Sequence, residues 1–143
     1  MNKKNNKQIF NPYLPSYEYI PDGEPHVFGD RVYHYGSHDK EGGDTFCMLD
    51  YVCYSAPVDD LTAWRYEGVI YQAKQDPRYP VPQYMYAPDV VQGNDGRFYL
   101  YYCMGGDYGQ GGYQGPVSVA VCDTPAGQYE YLGVVKNPDG SPM

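Results

Sequence analysis

Gly29 to Tyr35 reads G-D-R-V-Y-H-Y, and Asp95 to Tyr101 reads D-G-R-F-Y-L-Y. Each sets a Gly/Asp turn ahead of a short run of β-branched and aromatic residues. That pairing marks the second arm of a hairpin. The two segments begin a longer correspondence. D-Y-V-C-Y-S-A-P at 50–57 resembles V-S-V-A-V-C-D-T-P at 117–125, and W-R-Y-E-G-V-I at 64–70 resembles Y-E-Y-L-G-V-V at 129–135. Arg31 and Arg97 are 66 residues apart, Pro57 and Pro125 are 68 apart, and Gly68 and Gly133 are 65 apart. Three matches in one order at nearly one spacing indicate a duplicated unit.

Each unit carries four strand signals. Strands are predicted near 26–29, 32–37, 51–55 and 66–71, then near 88–92, 97–103, 116–122 and 129–135, with Gly, Asp, Asn and Pro turns between them. No amphipathic helix competes. The longest candidate, Ala56 to Tyr66, contains Pro57 and the pair Asp59-Asp60 and reads as a loop. Four antiparallel strands per repeat is the pattern of a β-propeller blade. The chain is therefore expected to be all-β, with about two blades of an incomplete propeller, because propellers close with four to eight blades. A fragment of a larger enzyme is favoured over self-assembly, since open blades expose strand edges. Lys74 to Gln83 is expected to be a loop that links the units. Gly105 to Gly115 is read as a mobile hairpin loop. No G-K-[ST] follows it, so it is not a phosphate loop.

The totals narrow the function. Ten Lys and Arg face eighteen Asp and Glu, for a net charge of −8. That balance argues against nucleic acid and anionic membrane partners, which both select basic patches. No apolar run approaches the roughly 20 residues that span a bilayer. The opening M-N-K-K-N-N-K-Q lacks an apolar stretch behind its charges and does not read as a secretory signal. Residues 1–9 are expected to be a flexible tail ahead of a unit spanning 10–143. The four Cys, at 47, 53, 103 and 122, have no metal-ligand spacing,. They read as reduced thiols, which points to the cytoplasm. Nineteen Tyr are too many for any site, so most must be structural,.

Overlaying the units brings out two acids. Glu24 precedes V-F-G-D-R as Asp89 precedes V-V-Q-G-N-D-G-R, at an offset of 65. Both stand at the start of the first strand of a blade. First strands line a propeller's central channel, so two carboxylates would face one funnel. Hydrolysis with a carboxylate base needs such convergence. Strand-entry turn residues are the plainer alternative. Asp22 stands with Glu24 in the turn ahead of the strand, and both Asp22 and Asp30 also read as ordinary turn residues.

The segments E-P-H-V-F-G-D-R-V-Y-H-Y-G-S-H-D, D-Y-V-C-Y-S-A-P-V-D-D-L-T-A-W, M-Y-A-P-D-V and G-R-F-Y-L-Y-Y resemble the N-terminal part of glycoside hydrolase family 43. The resemblance covers about residues 10–137. It implies a five-bladed propeller and an inverting hydrolase of the β-xylosidase or α-L-arabinofuranosidase kind. Family members use a base Asp, a tuning Asp and an acid Glu. The base normally lies in an Asp-Pro pair before the first strand. Here the matching pair is Glu24-Pro25, one methylene longer, so Glu24 is the first choice as general base and Asp22 the alternate. Nothing after Asp89 resembles the motifs of the other two carboxylates. The chain alone is thus expected to be inactive.

Asp89 matches the A-P-D element that lines the family's pocket. Tyr86 stands where the family usually has Trp and could stack on a sugar. His38, Asp39 and Asp50 are further candidates for the pocket wall, although His38 beside Asp39 also reads as a local hydrogen-bonding pair. Trp64 is expected to pack between blades. No cofactor is implied here. Some family members hold a channel metal ion through a His on a later blade, but His26 and His34 have no partner at metal spacing. The expected partner is a pentose or hexose glycoside or oligosaccharide. A non-catalytic carbohydrate-binding domain and a purely structural β domain stay open as alternatives.

Overall fold

A computed structural model describes residues 12–79, 84–105 and 116–143. Eight strands run in chain order: β1 Glu24–Phe28, β2 Arg31–Tyr35, β3 Tyr51–Pro57, β4 Arg65–Tyr71, β5 Met85–Gln92, β6 Phe98–Met104, β7 Ser118–Cys122 and β8 Glu130–Val134. They form two four-stranded sheets with orders β1-β2-β3-β4 and β5-β6-β7-β8. All pairings are antiparallel. The eight expected strands are all present. Among the described residues a 3-10 turn, Ala73–Gln75, stands at the start of the expected linker loop, whose residues 80–83 lie outside the described residues. The expected N-terminal tail and most of the Gly-rich loop lie outside the described residues.

β1 and β5 start earlier than expected because each contains a proline. Pro25 lies in β1 and Pro88 in β5. Both strands are at a sheet edge, where a missing N–H need not break a ladder. Pro88 also falls in the β5 irregularity, where the pairing jumps from Tyr86 to Asp89. The β1–β2 hairpin closes through Gly29 and Asp30, with Phe28 opposite Arg31. Gly29 has φ 62, which a two-residue hairpin needs at its first turn position,.

The duplication extends to a defect in the ladders. Gly68 pairs with Cys53, and the next pair is Tyr54 with Tyr66, skipping Glu67. Gly133 pairs with Val119, and the next pair is Ala120 with Tyr131, skipping Leu132. The same bulge twists the outer strand of both sheets.

One core joins the sheets. Tyr35, Tyr51, Ile70 and Tyr71 of the first sheet pack with Met85, Leu100, Tyr102 and Met104 of the second, and with Tyr129. A buried ring of this size contributes on the order of 2 kcal/mol. Its hydroxyl must then find a partner, and each does. Tyr35 donates to the Pro125 carbonyl at 2.7 Å, Tyr51 to the Tyr86 carbonyl at 2.9 Å, and Tyr129 to the Pro125 carbonyl at 3.0 Å. The Tyr71 and Tyr102 hydroxyls meet at 2.8 Å, and Tyr102 also donates to Asp76 Oδ2 at 2.7 Å. Three of these bonds, from Tyr35, Tyr51 and Tyr71, cross from the first sheet to the second unit. These buried tyrosines are therefore architectural.

Trp64 departs from expectation. Its ring contacts are with Tyr13, at 4.9 Å between centroids, and His34, at 6.3 Å. It closes the first sheet against the N-terminal segment and, among the described residues, has no ring contact with the second sheet. Cys47 and Cys53 are buried thiols.

Candidate active site

β1 turns one face toward the second sheet. Alternation places Glu24, His26 and Phe28 on that face. Phe28 meets Phe98 edge-on at 5.0 Å, and His26 Nε2 lies 2.6 Å from Asp89 Oδ1. Asp89 Oδ1 also accepts the Val90 N–H at 2.8 Å. Asp89 is thus brought to the side of β1 that carries Glu24, and the two acids do not lie on opposite outer surfaces. Glu24 itself is exposed at the first position of β1.

Asp22 is held differently. Its backbone is left-handed, with φ 56, a conformation uncommon for a residue bearing a Cβ,. The loop around it lies flat on the end of β2. A Cβ at Gly23 would come within 2.1 Å of the His34 ring, and one at Gly36 within 2.8 Å of the Pro21 carbonyl oxygen. Ser37, fully buried, directs its hydroxyl to Asp22 Oδ2 at 3.5 Å. The same hydroxyl oxygen accepts the Ala87 N–H at 2.7 Å. Ala87 opens the A-P-D element and has φ 36. Cys47 has φ 58, and the Met85 N–H donates to its carbonyl at 3.2 Å. Burial pushes the Cys47 thiol up, and a hydrogen bond with Ser37 partly offsets that. Asp22, Cys47 and Ala87 are the non-glycine residues with positive φ among the described residues, and all three gather on Ser37.

The remaining candidates have internal partners. His38 Nδ1 bonds the Asp50 carbonyl at 2.9 Å, while its Nε2 faces Glu18 Oε2 at 3.4 Å. The Asp39 carboxylate accepts the Cys47 N–H at 2.6 Å. No His38–Asp39 pair forms; each side chain reaches past the other. Asp50 accepts the Ala73 N–H at 2.8 Å and a Gln72 side-chain N–H at 3.2 Å, which anchors the linker after β4. The Tyr86 ring lies 5.8 Å from that of Phe46, which is 58% exposed. Phe46, Tyr19 and Asp39 border an open cleft of about 450 Å³ beside this corner, together with Lys40 and Thr45.

Ser37 and Phe46 escaped the sequence reading, and His26 was weighed there only as a metal ligand. Ser37 sits in Y-G-S-H-D between two residues that drew attention for their charge, and nothing in its type marks it. His26 could have been found, because it lies two residues beyond Glu24 and so shares its face. Among the described residues, no three His, Cys, Asp or Glu converge as a metal site.

A family model for glycosyl hydrolases family 43 matches residues 21–142. The chain is 60% identical over 137 residues to a xylosidase/arabinosidase of Thermoclostridium stercorarium, covering 94% of this chain and 27% of that protein. It is 33% identical over 95 residues to xylosidase/arabinosidase 43A of Humicola insolens, covering 59% of this chain and again 27% of the other. Among solved structures, a family 43 enzyme of Xanthomonas citri complexed with xylose superposes with TM-score 0.66 at 27% identity, over 88% of this chain and 39% of that one. A β-xylosidase/α-arabinofuranosidase from a compost metagenome, in complex with xylotriose, gives 0.67 at 27% identity, over 93% and 43%. The chain thus spans about a quarter of the length of the curated relatives it matches.

Proposed function

Since the chain belongs to glycosyl hydrolases family 43, we propose that it supplies two blades and the general base of an inverting glycosidase. The substrate class is a β-xyloside or α-L-arabinofuranoside, in line with the relatives named as xylosidase/arabinosidase. The base takes a proton from water. That water attacks the anomeric carbon from the side opposite the departing sugar, and a separate acid protonates the leaving oxygen. Acid and base must stand about 6.5–9.5 Å apart to admit the water. The acid and the tuning Asp are expected on later blades, so residues 1–143 alone hydrolyse glycosides poorly or not at all.

Asp22, in place of Glu24, is the base in this reading. One observation carries the choice: Asp22 holds a left-handed backbone at φ 56 on a loop pressed against Gly36 and His34. Strained, over-determined backbone gathers at functional sites. Asp22 and Glu24 are both exposed; the share of Glu24, at the strand mouth, is to line the funnel with Asp89, where Tyr86 and Phe46 offer flat faces to a sugar.

The test is a hybrid in which residues 12–143 replace the matching part of the Thermoclostridium stercorarium relative. The hybrid is expected to turn over a nitrophenyl xyloside or arabinofuranoside, while the 143-residue chain does not. Asp22→Asn should lower kcat by about 10²–10⁴-fold, and Glu24→Gln by less than tenfold. The reverse ranking returns the base to Glu24. A folded hybrid that binds xylose without turnover supports the carbohydrate-binding alternative.

A further inference from the structure

We infer that Ser37 is a positioning residue that ties the base-bearing loop of the first blade to the A-P-D element of the second, so that Asp22 and Asp89 move as one unit. The inference rests on Asp22 being the base.

The chemistry of a hydroxyl fixes the arrangement. Serine has one proton to donate and lone pairs to accept with. Ser37 Oγ accepts the Ala87 N–H at 2.7 Å, so its own proton is left for the two other groups it reaches, Asp22 Oδ2 at 3.5 Å and the Cys47 thiol. The separation from Asp22 is at the long edge for such a bond, and contacts of this kind often tighten only once substrate is bound. Ser37 is 0% exposed while Asp22 and Ala87 are exposed, so the hydroxyl holds both from the buried side of the loop. Ala87 lies two residues before Asp89 in the same β5 irregularity, and Asp89 in turn bonds His26 of β1. Ser37 and His26 are therefore two of the links between the blades at this corner, beside the Met85 N–H to the Cys47 carbonyl and the Tyr51 hydroxyl to the Tyr86 carbonyl. The residues around the Ser37 link carry the positive φ values at Asp22, Cys47 and Ala87. Conformations of this kind persist only where neighbours over-determine them, and Ser37 is the neighbour they share.

The experiment has two arms. In the 143-residue chain, Ser37→Ala should speed hydrogen exchange at the Ala87 amide by about tenfold, the scale of one lost hydrogen bond, with the Leu100 and Tyr102 amides unchanged. In the hybrid enzyme, Ser37→Ala should lower kcat by about tenfold to a hundredfold with KM within twofold, because a displaced catalytic group costs about that much. Azide, a small anion that needs no base, should restore turnover to Asp22→Ala, where the deleted carboxylate leaves room for it, giving the glycosyl azide as the leaving group departs with the acid's proton. A purely structural serine would lower the folded fraction of the hybrid and leave the kcat of the folded enzyme unchanged. Unchanged Ala87 exchange, or a Ser37→Ala loss confined to KM, overturns the inference. Full activity of Asp22→Asn instead overturns the reading beneath it, and a hybrid with no turnover overturns both.

Discussion

His26 Nε2 and Asp89 Oδ1 stand 2.6 Å apart, joining the first strand of one sheet to the first strand of the other. They are 63 residues apart in sequence, so the bond is a direct record of how the duplicated units dock. Its partners are only partly shielded, with side-chain exposures of 33% and 55%. Solvent then screens most of the attraction. In a double-mutant cycle of His26→Ala and Asp89→Asn followed by urea denaturation, the coupling should not exceed about 1 kcal/mol. Its value lies in aiming Asp89, so the same variants in the hybrid enzyme should raise KM more than they alter stability. A coupling of several kcal/mol would mean that the pair is a structural clamp.

The loop that carries Asp22 depends on two missing side chains. At Gly36 an added Cβ would meet Ile20 Cγ2 at 2.5 Å and the Pro21 carbonyl at 2.8 Å, and the second of these is backbone that cannot swing away. Gly36→Ala must therefore displace residues 20–23. A cost of about 1–3 kcal/mol is expected from such overpacking, together with a fall in kcat in the hybrid enzyme. Thermal unfolding of the 143-residue chain checks the first effect. An Ala variant as stable and active as the wild type would show that the loop is not pinned there.

His34 gives the chain a pH dependence with a definite sign. It is buried under Gly23, Tyr13 bonds its Nδ1 at 2.9 Å, and its Nε2 finds no partner among the described residues. Burial lowers its pKa below the usual value. As pH falls below about 6.5, the unfolded chain takes up this proton before the folded one does. Stability should then decline with acidification until the folded-state pKa is reached, and stay at its full value above that window. Chemical denaturation at a series of pH values should show a flatter profile for His34→Gln than for the wild type between pH 7 and 5. Parallel profiles would place the proton uptake elsewhere.

Strand positions were legible because β-branched and aromatic residues alternate between Gly, Asp and Pro turns, and the two copies confirm each other. The mouths of β1 and β5 were not, because Pro25 and Pro88 read as breakers. Only the edge position of both strands makes them tolerable. The acids were found by their offset, yet the offset favours Glu24, while the support for Asp22 comes from backbone conformation and packing that one-dimensional spacing does not carry. Trp64 was misplaced for a related reason. A lone large ring on a predicted strand suggests an interface, but the N-terminal segment that covers it has no repeat to announce it. Ser37 has no signal at all in the sequence, since its role comes from burial and from a partner fifty residues away.

The linker between the units holds a buried charge whose balance can be tested. Asp76 is 1% exposed, and burial alone would raise its pKa. Side-chain hydrogen bonds from Arg78, with a further one from Tyr102, outweigh that and hold the carboxyl below its ordinary value. The bonds are 2.8 Å from Arg78 Nε to Oδ1, 2.8 Å from an Arg78 terminal nitrogen to Oδ2, and 2.7 Å from the Tyr102 hydroxyl to Oδ2. Arg78 also reaches Ser118 Oγ at 2.9 Å, so the cluster ties the linker to β7. Asp76→Asn removes the charge and strands Arg78, which should cost about 3 kcal/mol at neutral pH. Tyr102→Phe leaves an acceptor unfilled and should cost about 1–3 kcal/mol. A carboxyl with a depressed folded-state pKa stabilises fully above its unfolded value, about 3.9, and that contribution drains away as pH falls toward the folded value. The stability gap between wild type and Asp76→Asn should therefore be constant from pH 7 to 5 and narrow below about pH 4. A gap that persists unchanged at pH 2–3 would assign the loss to packing and not to the Asp76–Arg78 charge pair.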